Sequence, residues 1–236
     1  MPALTPEELT ALSLSLRVAA WCTLAALVPA IATGWLLARR EFPGKALVDA
    51  AVHLPMVLPP VVPGYLLLLL FGVNGVFGRW LEAWFGLSFA FNWKGAVLAS
   101  AVMGFPLMVQ AVRVAVQMVD QRLEDAARTL GAGPLDVFLS VTLPLAMPGI
   151  LVGALLMFSR SLGEFGATIT FVGNVADETR TLPLAIYSAI QSVNGEHMAG
   201  RLILISLTLA FVSLLLSNHL TRRAASRLGH QRHAGT

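Results

Sequence analysis

Charged residues are so sparse along this chain that they rule it into apolar runs of similar length. Between Arg17 and Arg39 stand 21 residues without a charge, 18–38. A helix of that length, at ~1.5 Å per residue, covers a hydrocarbon core of about 30 Å. The same reading places further spans at about 50–72, 95–112, 137–159 and 202–221. Two uncharged pieces, 165–176 and 181–195, are too short to cross comfortably and read as a re-entrant or an interfacial segment. The expectation is an all-α, polytopic membrane protein: one transmembrane domain over 1–236, five transmembrane helices, and a polar tail at 222–236.

The second run differs from the others. Pro55, Pro59, Pro60 and Pro63 fall within nine residues and are followed by Gly64, so backbone donors are missing and the helix must break or kink. Freed carbonyls persist in a bilayer only against protein or a water-filled path. Pro59, Pro60 and Pro63 are therefore candidates for a bundle-interior surface, and a merely structural kink is the alternative. At the N-terminus, Thr5-Pro6-Glu7-Glu8 has a cap, a first-turn proline and a glutamate at the third position. That is a capping box, and it predicts a short external helix leading into the first span. Arg39-Arg40 behind a long apolar run, with Glu7 and Glu8 ahead of it, argues for a retained span over a cleaved signal.

Composition agrees with the pattern. Of 236 residues 56% are hydrophobic and 12% charged, too little polar surface to cover a water-soluble globule. A net charge of +3 would suit nucleic acid, but the cations are dispersed beside apolar runs, so no nucleic-acid partner is expected. They sort by side instead. Arg39, Arg40, Lys45, Arg113, Arg122, Arg128, Arg222, Arg223, Arg227 and Arg232 share one side. Arg17, Arg79, Lys94, Arg180 and Arg201 fall on the other. The positive-inside rule then makes the C-terminus cytoplasmic and the N-terminus external. Trp80, Trp84 and Trp93 fall in the external 72–94 connection, as an interfacial belt would. The single cysteine, Cys22, lies inside the first run and reads as a small buried apolar residue.

Catalytic chemistry is not legible. No GxxxxGK[ST] or HExxH pattern occurs, and His53, His197, His219, His230 and His233 show no ligand spacing within a span. No catalytic residue, metal site or cofactor is expected in this chain, so energy for any work must come from another one. The informative stretch is the 120–136 loop between the third and fourth spans. Leu123, Ala126, Ala127 and Leu130 recur there at helical spacing beside Glu124 and Asp125, Gly131 can end the helix in a left-handed turn, and Gly133-Pro134 turns the chain. A short amphipathic helix held between two spans is a docking element, or an ordinary loop helix.

Asp125-Ala126-Ala127, Gly131 and then Val141-x-Leu143-Pro144 match in spacing, and so resemble, the EAA loop of binding-protein-dependent ABC importer permeases. Asp125 stands where the family pattern has glutamate and Val141 where it has isoleucine, which leaves Glu124 as a second acid able to meet the ATPase. More narrowly, FPGKALVDAAVHLPMVLPPVVPGYLL, AARTLGAGPLDVF and RSLGEFGATITFVGN with ETRTLPLAIYSAIQ look like the molybdate permease branch. That resemblance implies a MetI-like inner-membrane permease with a cytoplasmic coupling helix, importing molybdate or tungstate. It implies a homodimer with two ATP-binding subunits, which hold the ATP and Mg, and a periplasmic molybdate-binding protein. Sulfate and thiosulfate permeases share the layout and are the alternative. An ion-coupled secondary carrier is the rival from another class, and it would favour interior carboxylates and an internal repeat.

Arg160 and Glu164 lie four apart at the end of the fourth span, so they share a helix face. Either they line a path for an oxyanion, with Gly166 and Thr168 as close-packing or hydrogen-bonding neighbours, or they lock the helix end as an ion pair. The proline-rich break and the Arg160–Gly166 stretch are expected to lie together as path and gate.

Overall fold

The structure is a computed structural model that describes residues 4–193 and 195–233, without the side chains of 217, 218 and 220–233. The tail cations Arg222, Arg223, Arg227 and Arg232, and residues 234–236, therefore lie outside the described side chains. The described residues are helical with no strand. Four helices are long and apolar enough to cross a membrane, and one bent pair brings the number to five if it counts as a single span.

Helix α1 (Pro6–Arg39) carries the capping box: Thr5 N donates to Glu8 Oε2 at 2.8 Å and Glu8 N to Thr5 Oγ1 at 3.4 Å. Among the described residues the expected short helix is not separate from the span. The helix continues unbroken through Arg17, whose guanidinium lies 3.8 Å from the centroid of the Trp93 ring. A charge stabilised over an aromatic face need not end a helix. Glu8 is wholly buried and takes Arg201 Nη2 and Nε at 2.9 Å, tying the start of α1 to the last helix.

The second span is two helices and not one. Helix α2 (Lys45–Val57) and α3 (Val61–Phe71) meet at 112°. The cause is local, since Pro59 and Pro60 have no N–H to give the carbonyls of Pro55 and Met56 one turn back. Helix α2 buries no residue, and α3 buries only Pro63, Gly64 and Leu67. The 72–94 connection also departs from expectation. It contains α4 (Val76–Phe85), folded tightly against the end of α3, where a Cβ on Gly78 would run into the Gly72 carbonyl. Val76, Phe77, Trp80, Trp84 and Phe85 are exposed along it, whereas Trp93 is set apart beneath Arg17.

Helix α5 (Trp93–Gln117) is the central post. After the short helix α6 (Gln121–Thr129), the chain re-enters through α7 (Pro134–Val137), a π turn at Phe138–Thr142, and α8 (Leu143–Leu162). Small residues set the antiparallel register of α5 and α8. Gly149 sits on Ala115, and a Cβ on Gly153 or Gly104 would stand 2.9 Å from Ala111 Cβ or Met157 Cγ respectively. Close backbone approach of this kind is how apolar helices associate in lipid. Around it α1, α5 and α8 form one core, with Cys22, Leu37, Met108, Val112 and Met157 fully buried.

The two short apolar pieces become α9 (Gly166–Val172) and α10 (Leu182–Gln191), followed by α11 (Glu196–His233). Helix α9 is inserted between α3 and α5, with Ala167, Phe171 and Val172 wholly buried in a second core. The contact with α3 has no slack. A Cβ on Gly64 would stand 2.6 Å from the Ala167 carbonyl oxygen and 2.8 Å from its Cα, backbone atoms that cannot rotate away. Gly64→Ala should therefore cost about 1–3 kcal/mol, read as a lowered thermal midpoint in detergent. Gly200→Ala, where no atom lies within 4 Å, is the control, and equal midpoints for the two variants would refute the close contact.

Candidate functional site

Helix α6 is a surface helix by construction. Asp120 caps it by accepting from Arg122 N at 2.9 Å, and Gly131 takes the left-handed turn beyond it at φ 90°. Leu130 is 89% and Leu123 50% exposed, and Ala126 is exposed beside them. Ala127 is half-buried, so the outward apolar face is Leu123, Ala126 and Leu130. Asp125 pairs with Arg128 at 2.7 Å, both well exposed, and such solvated pairs contribute little to stability.

Glu124 is turned the other way from Asp125. One position from Asp125 is ~100° around a helix, and that turn points it into the protein. Its Oε1 accepts from Arg39 Nη2 at 2.9 Å and from Thr142 Oγ1 at 2.8 Å, and Arg39 Nη2 also donates to the Val119 carbonyl at 2.9 Å. Side-chain exposures of 8% and 6% make Arg39–Glu124 a buried pair. It joins the end of α1, the α5–α6 connection, α6 and the π turn. The sequence marks Arg39 only as a span boundary and topological cation, and does not mark Thr142. Leu143 and Pro144 open α8 just beyond, directly after the π turn with which the helix is continuous.

Two clefts flank the break in the second span. One is lined by Pro60, Val61, Arg160, Gly163, Glu164 and Gly166. A Cβ on Gly166 would stand 2.6 Å from Pro60 Cβ, so the proline break and the Arg160–Gly166 stretch do meet. Arg160 Nη1 lies 2.8 Å from Glu164 Oε2, yet the geometry is not that of a hydrogen bond and Oε2 has none. The contact is Coulombic, and the aligned bond of this carboxylate is the one Oε1 accepts from Ala167 N at 3.0 Å. Arg160 is about a third exposed to the cleft and Glu164 almost wholly buried. Pro59, Pro63 and Thr168 do not line it: Pro59 is exposed beside it, while Pro63 and Thr168 are buried behind.

The other cleft lies between α2 and α5 and was not anticipated. Its walls include Asp49, His53, Met56, Pro106, Gln110 and Arg113. Arg113 Nη1 reaches both Asp49 carboxylate oxygens, at 3.0 and 3.1 Å. His53 Nδ1 lies 2.8 Å from the Asp49 carbonyl. A carbonyl can only accept, so that nitrogen is the donor. Pairings between residues so far apart in sequence leave no periodic signal.

Comparison with known proteins follows the same outline. A family model described as "Binding-protein-dependent transport system inner membrane component" matches residues 30–226. The chain is 57% identical to the molybdenum transport system permease protein ModB of Escherichia coli (strain K12), over 96% of this chain and 99% of that one. It is 54% identical to the protein of the same name from Haemophilus influenzae, over 94% and 97%. Identity to the sulfate transport system permease protein CysT of E. coli (strain K12) is 37%, over 83% and 70%. Among solved structures, a bacterial ABC transporter involved in alginate import superposes with TM-score 0.72 at 18% identity, covering 93% and 80%. The MetNI methionine ABC transporter in inward-facing conformations gives 0.69 at 16%, covering 94% and 99%. At such identities the likeness is one of fold.

Proposed function

Because this chain belongs to the family of binding-protein-dependent transport system inner membrane components, we propose that it is the membrane-spanning subunit of an ATP-driven importer of molybdate, with tungstate as its near twin in size and charge. The observation that carries the substrate is the 57% identity, end to end, to a molybdenum transport permease. A sulfate reading rests on a relative at 37% and is correspondingly weaker. In this reading the chain sits in a bacterial inner membrane with its N-terminus periplasmic and its C-terminus cytoplasmic. Two copies pair with each other, two ATP-binding subunits dock from the cytoplasm, and a periplasmic binding protein delivers the oxyanion. ATP and magnesium belong to the partner chains.

The geometry supports a division of labour. The exposed Leu123, Ala126 and Leu130 face of α6, with Asp125, is the surface offered to the ATPase. Gly131, Leu143 and Pro144 shape its return into the membrane. Glu124 fastens α6 to α1 and α8, so displacement of α6 is passed into the α1–α5–α8 core. Arg160 is the cation an incoming oxyanion meets in the cleft at the Pro60 break, and Gly166 permits the close approach that forms it. Glu164 tempers that attraction, and its charge stays compensated at the start of α9 when an anion engages Arg160.

Uptake into vesicles by the reconstituted complex, driven by ATP and challenged with molybdate, tungstate and sulfate, tests the assignment. Uptake driven by an ion gradient without ATP would replace it with a secondary carrier. Within that assay, Arg160→Ala should lower uptake by about tenfold or more, the loss of one charge-assisted contact. Glu164→Ala should not mimic it. If the pair only locks a helix end, both single variants are similarly destabilised and the double variant regains stability and uptake together.

A further inference from the structure

The two clefts are built alike. Each holds one arginine, each arginine faces a carboxylate of the same chain, and the broken span contributes to both, through Met56 on one side of the bend and Pro60 on the other. The α5–α8 register gives their spacing. Met157 lies level with Gly104, and Gly149 level with Ala115. Arg160 is therefore level with the outer part of α5, while Arg113 is one turn from its other end. At 1.5 Å per residue the backbone levels of the two arginines stand on the order of 20 Å apart along the bundle.

We propose that the Asp49–His53–Gln110–Arg113 cleft is a second oxyanion station, placed after the Arg160 cleft on the same path. The inference rests on the oxyanion-transport reading above. Arg113 stands one turn from the end of α5, and its guanidinium is turned across the cleft to Asp49; an ionisable group so placed in a span normally faces an interior or a water path. Asp49 occupies only part of it. Both carboxylate oxygens share Nη1, and among the described residues nothing accepts from Nη2 or Nε. Two donor nitrogens therefore remain for a ligand, in the planar arrangement that suits an oxyanion edge. Gln110, one turn earlier on α5, adds an amide donor to the same cleft.

Asp49 has a second consequence. A carboxylate already held by Arg113 is an internal competitor for any incoming oxyanion, and it keeps the station weak. Conduction needs binding favourable enough to attract the ion and weak enough to release it. A bare arginine would hold a dianion too long. The pair also attaches α2, which buries none of its own residues, to α5. An oxyanion that draws Arg113 away from Asp49 thus loosens the arm beside which it sits.

Equilibrium binding of molybdate to the complete transporter in nanodiscs, without nucleotide or binding protein, tests this directly. Asp49→Asn removes the competitor and leaves the shape, and should tighten molybdate binding by about tenfold. Adding Arg113→Gln to that variant should abolish the gain. In the unaltered background, Arg113→Lys, which keeps the charge and loses the planar donors, should slow ATP-driven uptake. Equal molybdate binding by the parent and Asp49→Asn complexes overturns the station. So does undiminished uptake by Arg113→Lys, which decides the matter if the Asp49 variant does not assemble. Uptake by the parent complex is read in parallel. Its absence would remove the transport reading itself, whereas normal parental uptake with no gain in Asp49→Asn removes the station alone.

Discussion

Ala126→Trp should separate the ATP-binding subunits from this chain and reduce uptake to background, with the permease still folded and inserted. Ala126 lies between Leu123 and Leu130 on the outward face of α6, where the side chain is exposed and small. An indole there meets nothing within the chain, so it costs the fold little, but it stands between α6 and any surface that would receive it. Half-buried Ala127 is the less discriminating position, because a large side chain there strains the permease as well. Co-purification of the two subunits, beside a thermal melt of the permease alone, reads the two effects apart. Recovery of a complete, active complex would show that α6 is not where the ATPase binds.

The second large effect is expected from Glu124→Ala. It leaves Arg39 buried without its countercharge, and removing one partner of a buried pair typically costs about 3–5 kcal/mol. With both side chains less than a tenth exposed, solvent screening does little to reduce that. The variant should melt well below the parent and lose coupling between ATP hydrolysis and uptake. Replacing both partners, Arg39→Met with Glu124→Met, should recover most of the stability, since an apolar pair carries no desolvation penalty. Coupling should not return with it, because the Thr142 and Val119 contacts are gone. A Glu124→Ala protein as stable as the parent would mean that the clamp is ornamental.

Features that depend on neighbours in sequence were legible without a structure. The Thr5–Glu8 box, the break at Pro59-Pro60, the turn at Gly131 and the Arg160–Glu164 pairing all follow from rules spanning at most four residues. Span boundaries were less so. Charges served as rulers, and the ruler fails wherever a charge is satisfied inside a helix, as Arg17 is by Trp93. Glu124 illustrates a different limit. Glu124 and Asp125 are chemically near-equivalent on paper, and which one is turned outward depends on where Arg39 sits, 85 positions away. The Asp49–Arg113 cleft is invisible for the same reason. Helix α4 is not legible in the sequence, because its aromatic residues suit an interfacial belt equally well and what holds it is backbone contact at Gly72 and Gly78.

The break in the second span also bears on how the chain is made. Its surface partner α9 begins at Gly166, about a hundred residues after the prolines, which at 5–20 residues per second is an interval of roughly 5–20 s. Through that interval Gly64 of the nascent segment 45–71 faces no Ala167, and Pro60 no Gly166. Arrival of α9 is thus the step that completes the first half of the molecule from its second half. A chain that stops short of Gly166 leaves the groove at Gly64 and Pro60 without the helix that fills it.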